Sequence, residues 1–377
     1  METASATVRT RLRAIDVLRG FVMVLMAIDH ASDAFNRGRL FTDSSFFYKA
    51  GTHLDTVQFL TRFITHLCAP TFLFLAGVSG ALSAELRIAA GEPSTAVDRH
   101  LLARGALIAV LDPTWMTLGF TGGHLVIFQV LYAIGMSMMC MVPLRRLSTR
   151  ALVLGSLALM LGGEALVGAM FMLLHVNNPP LLGAFTISGG RFPGFVVAYP
   201  FVPWLAIMML GWACGRWLAF SAPARPERVF ARCGVAALLL FVVVRGLNGY
   251  GNLRLYREDQ SLVQWLHVSK YPPALTYYTL LLGIMALLLS ALIALEKHGR
   301  ALPGERLLAL LGRTAFFFYL LHAHILEAVA HLLQVHSQLG VWSAYAGGFA
   351  IVALLYPACV RYDAYKRAHP HGFARYL

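Results

Sequence analysis

Mostly apolar stretches alternate with short polar segments along the whole chain. Each stretch approaches the roughly 20 residues that carry a helix across a hydrocarbon layer. The pattern predicts helices over 14–31, 61–84, 101–119, 124–144, 151–175, 197–219, 229–249, 272–295, 309–333 and 340–360. The predicted fold class is an all-α polytopic transmembrane bundle of about ten helices. Repeats of fixed period and low-complexity tracts are absent. Residues 1–377 therefore read as a single membrane domain.

Composition agrees with the pattern. Of 377 residues, 58% are hydrophobic and 13% charged, and mean hydropathy is +0.66. An ordinary soluble domain is about 25% charged. A disordered chain, a coiled coil and a conventional cytosolic enzyme are excluded. The net charge of +13 would suggest nucleic acid in a soluble protein. Here it has a topological origin. With the N-terminus inside and loops alternating, inner segments hold 22 of the 31 basic residues and outer segments hold 9. That bias orients ten helices with both termini cytoplasmic, and no nucleic-acid partner is expected. Arg9, Arg11 and Arg13 precede the first apolar run without a clear cleavage site, so a retained first helix is expected. The five cysteines lack CxxC spacing, which argues against a disulfide framework or a zinc site.

Ionisable residues inside membrane helices are costly and mark candidate sites. Most lie in the outer halves of the predicted helices: Asp29 and His30, His66, Asp112 before Pro113, His124, and Lys270 with Tyr271 just before the eighth helix. A proton path would distribute such groups through the full depth. A reaction site facing the outer compartment concentrates them on one side. Adjacent Asp29 and His30 do not share a helix face, so they serve different partners. His324, Glu327 and His331 follow i, i+3, i+7 spacing, but HExxH is absent and no metal is predicted. GxSxG, GxxxxGK[ST] and GxGxxG are absent too. A phosphate-bearing cofactor would have to use inner-side arginines such as Arg19, Arg104 and Arg313.

RLRAIDVLRGFVMVLMAIDHASDAF (11–35) and TRFITHLCAPTFLFLAGVSG (61–80) carry a resemblance to a known family. So do YPFVPWLAIMMLGWACGRWL (199–218), KYPPALTY (270–277), LGRTAFFFYLLHAHIL (311–326) and YPACVRYDAYK (356–366). The chain resembles the bacterial integral-membrane family once called DUF1624, which is similar to the catalytic membrane domain of heparan-α-glucosaminide N-acetyltransferase. The resemblance implies acetyl transfer from cytosolic acetyl-CoA to an acceptor across the membrane. It implies a histidine at the far end of the first helix or in the following loop: His30 with Asp29 beside it, or else His53. His66 ranks second, with Asp112, His124, Lys270 and Tyr271 as supporting or acceptor-binding residues.

The expected protein is thus a multi-pass acyltransferase of a bacterial inner membrane. Its expected partners are the lipid bilayer, an acyl-CoA donor, and a glycan or small-molecule acceptor; a homodimer stays open. The alternative from another class is a proton-coupled transporter or exporter relaying through Asp112, Glu164, His322 and Glu327.

Overall fold

The computed structural model describes residues 12–175, 178–221, 225–369 and 372. Arg9 and Arg11, and with them the leader reading, lie outside the described residues. The first span is α1 (Arg13–Phe35). The second joins α2 (Thr56–Thr65) to α3 (Cys68–Ala89). The third joins α4 (Ser94–Leu111), through a π-helical turn at Asp112–Met116, to α5 (Thr117–Thr121). A short strand, β1 (Val126–Phe128), precedes α6 (Val130–Leu144). α7 (Thr149–Leu173) leads to the single turn α8 (Leu181–Gly183), a π-turn at Ala184–Ser188, and the hairpin β2 (Gly190–Phe192) and β3 (Phe195–Val197). The rest is α9 (Phe201–Phe220), α10 (Pro226–Leu247), α11 (Leu262–Leu266), α12 (Leu275–Lys297), α13 (Glu305–Arg313), α14 (Ala315–Leu332) and α15 (Trp342–Ala368).

Among the described residues, eight helices are long and apolar enough to cross a membrane. In the apolar windows of α7 and α10, only 22% of residues are buried by protein. Their bare leucines and valines need lipid as a partner. Two further helices complete the bundle. α1 carries too many charges to count as apolar, and α6 is only 15 residues long. Each of the ten predicted spans therefore corresponds to a helix, with corrections at the ends. The span expected from 124 starts at Val130, because Val126–Phe128 pairs in parallel with Phe195–Val197. The span expected over 309–333 is two helices, interrupted where Thr314 (φ −109°, ψ 17°) leaves helical geometry.

Proline shapes two of the spans. Pro70 has no N–H to offer the carbonyl four residues back. That carbonyl belongs to His66, where α2 bends into α3, and it accepts from the Tyr277 hydroxyl at 2.9 Å instead. Pro113 opens the π-turn after α4 in the same way. Glycines allow the closest helix contact. A Cβ at Gly20 would overlap the Leu308 carbonyl, and one at Gly312 the Asp16 carbonyl, so α1 and α13 touch backbone to backbone.

The ends of the bundle differ in chemistry. At one end, Glu296 accepts from the N–H groups of Arg13 and Ala14, Arg145 pairs with Asp98, Arg216 with Glu85, and Arg313 with Asp363. This is the basic end. The far end holds the loop from Asn36 to Asp55, the three-stranded sheet ordered β1-β3-β2, and the segment between α10 and α12.

Candidate functional site: a basic cavity leading to paired histidines

A cavity of about 700 Å³ opens between α1, α3, α4 and α14. It is lined along α3 from Phe72 to Arg87 and along α4 from Val97 to Ile108. At about 1.5 Å per residue, the α3 lining alone extends roughly 20 Å along the bundle. Leu12, Arg87 and Lys366 mark its basic-end rim; Met23 and Tyr319 stand deeper. Arg19, Arg104 and Arg313 all line it. Arg19 is held by Asp16, the Gly312 carbonyl and Ser79, the last at 2.7 Å. Arg313 is held by Asp363. Arg104 differs: its Nε is buried without a hydrogen-bond partner among the described residues.

Tyr319 connects the cavity to the first candidate. Its ring lies edge-on to His30, with centroids 6.1 Å apart, and its buried hydroxyl has no hydrogen-bond partner among the described residues. His30 Nδ1 lies 2.6 Å from His322 Nε2, and His322 Nδ1 lies 3.0 Å from the Phe318 carbonyl. A carbonyl only accepts, so His322 Nδ1 carries the hydrogen. Neutral His322 then offers Nε2 as acceptor, and His30 Nδ1–H donates to it. The lone pair of His30 is left on Nε2.

Asp29 turns the other way. Its carboxylate accepts two bonds from Arg62 Nη1, at 2.7 and 2.9 Å, one from Arg39 at 3.0 Å, and one from the Thr65 hydroxyl at 3.0 Å. Arg62 also grips Asp43, with Nη2 2.7 Å from Oδ2, and donates to the Tyr271 hydroxyl at 3.3 Å. His66 Nε2–H donates to the same Asp43 oxygen at 3.1 Å, while its buried Nδ1 has no hydrogen-bond partner among the described residues. Lys270 is 3% exposed, its ammonium 5.0 Å above the Tyr271 ring, and its N–H donates to the Asp43 carbonyl. Burial alone would raise the Asp43 pKa. Arg62, the His66 hydrogen bond and Lys270 outweigh it and hold the carboxyl well below its usual range. The neutralised knot locks the loop after α1 onto α2 and the segment before α12.

The structure thus gathers Asp29, His66, Lys270 and Tyr271 in one cluster and His30 beside it, with Asp29 and His30 serving separate partners. His124 stands apart, exposed in the turn after α5, and His53 is exposed in the loop after α1. Asp112 accepts from the backbone N–H of Gln129 and Tyr132, so it caps α6. Glu164 accepts from Gly251 and Leu253 N–H and ties a loop. His324 Nε2–H donates to the Trp115 carbonyl, which removes it from the stripe with Glu327 and His331. Arg62 and Asp43 were not singled out from sequence, and His322 was weighed only as a member of a proton relay. The available signal was Arg62 and His66 at i, i+4 entering a helix opposite Asp29.

These features define a polytopic helical membrane protein with an arginine-lined cavity at one end and, beyond it, an imidazole pair of half-buried His30 and buried His322. The chain belongs to the family described as heparan-alpha-glucosaminide N-acetyltransferase, catalytic, whose profile matches residues 11–245. The match covers more than half of the chain and includes Asp29, His30, Arg62, His66 and Arg104. It is a membrane protein of an acetyltransferase-like family. Among curated proteins, none matches the chain.

Proposed function

We propose that this protein transfers an acetyl or similar acyl group from acyl-CoA, bound at the cytoplasmic side, to an amine or hydroxyl of a sugar or glycan on the opposite side. The observation that carries this reading is the course of the cavity, from an arginine-lined mouth to Tyr319, with His30 directly behind that ring. The excess of basic residues supports a cytoplasmic mouth in a bacterial inner membrane. Arg19, Arg104 and Arg313 would hold the polyanionic head of the donor, leaving its thioester arm to follow the apolar wall.

In this reading His30 Nε2 takes the proton of the acceptor as its nitrogen or oxygen attacks the thioester carbonyl. The C–S bond breaks, and CoA leaves as the thiolate, which is protonated on departure. His322 keeps the His30 lone pair on the reacting nitrogen. The same nitrogen could instead carry the acyl group, and trapping the acyl-enzyme would distinguish the routes. An amine acceptor reacts as the free base, so the rate should rise with pH through the acceptor's own pKa.

The test uses purified protein in detergent. Wild type and His30→Ala should both bind acetyl-CoA by calorimetry, and only wild type should release CoA when glucosamine is added. Failure of well-folded protein to bind acetyl-CoA or longer acyl-CoAs would reject the proposal.

A further inference from the structure

The far end of α14 carries a second cluster that the acyl-transfer reading does not use. Glu327 and His331 are one turn apart on α14. After Leu332 the chain reverses sharply. Gln334 (φ 56°) and Ser337 (φ 52°) both adopt left-handed backbone, unusual for residues with a Cβ. The reversal is fixed by Val335 N–H to the Ala330 carbonyl, at 2.9 Å, and by Ser337 N–H to the Ala34 carbonyl of α1, at 2.9 Å. Its result is to bring His336 back over the helix. His336 Nε2 lies 3.1 Å and His331 Nε2 3.8 Å from the same oxygen, Glu327 Oε2. The two imidazoles are nearly parallel, 10° apart in plane and 4.6 Å between centroids. One ligand atom from each of the three residues falls within 4.8 Å of the others.

We infer that Glu327, His331 and His336 form a binding site for a divalent transition-metal ion, zinc or a close congener. Two imidazoles and one carboxylate are a zinc donor set that leaves a fourth position for water. Bonds of about 2.0–2.1 Å in a tetrahedron hold ligand atoms roughly 3.3 Å apart. The contacts to Glu327 bracket that spacing, so the set closes with small side-chain rotations. Glu327 is buried while His331 is exposed and His336 half-exposed, which gives the ion a fixed anionic floor and an entrance from solvent. Hard ions such as magnesium prefer oxygen ligands and are disfavoured. The bound ion would clamp the connection between α14 and α15 to α14, and through Ser337 to the end of α1. The clamped helix is the one that bears Tyr319 and His322.

The experiment uses tag-free protein in detergent, stripped with EDTA and titrated with zinc by calorimetry, with magnesium as the control. Wild type should bind one equivalent at micromolar concentration or tighter, and its unfolding temperature should rise. The His331→Ala/His336→Ala variant should bind at least tenfold more weakly and show no rise. Cobalt should give the visible absorption of a tetrahedral site in wild type alone. Absence of stoichiometric zinc binding by wild type would overturn the inference, whatever the variant does. So would equal binding by the double variant, or equal stabilisation by magnesium. Any of those results leaves an ordinary glutamate–histidine contact.

Discussion

His30 and His322 meet nitrogen to nitrogen at 2.6 Å, and the Phe318 carbonyl behind them fixes which atoms carry hydrogen. A histidine that is to accept a proton needs its free lone pair aimed at the reactant. This chain of bonds supplies that order without a carboxylate partner.

His30→Ala is expected to lower acyl transfer by about 10²–10⁴-fold, the usual worth of a positioned proton acceptor. Acyl-CoA affinity should be unchanged. His322→Ala should cause a smaller loss of turnover and displace the pH–rate profile, again with unchanged donor affinity, because it acts through His30. Initial rates of CoA release across pH, with calorimetric donor binding alongside, provide the check. An unchanged pH profile in the His322 variant would reduce His322 to a packing residue.

Arg62 is the junction of the far-end knot. Arg62→Ala leaves Asp29 and Asp43 facing each other with one guanidinium fewer. Breaking such a buried pair by removing one partner costs about 3–5 kcal/mol. Arg62→Lys keeps the charge but cannot span both carboxylates with one planar fork. Thermal unfolding in detergent should rank wild type above Lys and Lys above Ala. Equal stability of the three would mean that solvent carries the charges instead.

The bundle was legible in the sequence because its apolar stretches are long and separated by polar loops. Its finer breaks were not. The start of α6 depends on Val126–Phe128 pairing with a hairpin some 70 residues later, a non-local contact that periodicity does not encode. Asp29 and His30 could be picked out as ionisable groups within an apolar helix. Their partners could not, because Arg62 sits at a helix end and resembles an ordinary interfacial arginine. His322 was visible, but its meeting with His30 is set by how α14 packs on α1. The Glu327–His331–His336 cluster was legible only in part for the same reason: His336 lies beyond the helix and comes back over it after the left-handed turn at Gln334.

The far-end loops should lose stability in mild acid through His267. Its Nε2–H donates to the Thr42 carbonyl at 2.7 Å, its Nδ1 has no hydrogen-bond partner among the described residues, and burial holds its pKa below the usual value. The folded state therefore favours neutral imidazole. Above roughly pH 6.5 both states are neutral and the residue has no effect. Below that value the unfolded chain takes the proton first, so stability falls with pH until the folded-state pKa is reached. Asp43 has the opposite shift, lowered in the folded state, so its contribution is intact above roughly pH 3.9 and is lost only below. His267→Gln keeps a donor for Thr42 and cannot titrate. Its unfolding temperature should fall less steeply than that of wild type between pH 6.5 and 5. Parallel curves would assign the acid sensitivity to other groups.

Arg245 organises the same region from below. It is fully buried and donates to Asn252 Oδ1 at 2.5 Å and to the carbonyls of Leu255, Gln264 and His267 at 2.8, 2.6 and 2.5 Å. Truncation to Met would leave buried acceptors without donors, each costing about 1–3 kcal/mol. Arg245→Met should therefore unfold the far-end loops well before the helices. Limited proteolysis between Gly249 and Lys270, with helical circular dichroism retained, is the expected outcome. Cooperative loss of both signals would show that these loops and the bundle unfold as one unit.

Arg104 offers the sharpest test of where a donor would bind, because no described residue hydrogen-bonds its buried Nε. A cation in that state contributes little to folding, so Arg104→Ala should leave the unfolding temperature unchanged or raise it. If the arginine waits for a phosphate, the same substitution removes a charge-assisted bond worth about 1.5–3 kcal/mol. Acetyl-CoA affinity should then fall by about tenfold or more, and Arg104→Glu should lower it further. Affinity should also become less sensitive to added salt, since one attractive charge has gone. Calorimetric titrations at two ionic strengths give both quantities. Unchanged affinity in stable Arg104 variants would place the phosphates elsewhere and leave the cavity without its assigned ligand.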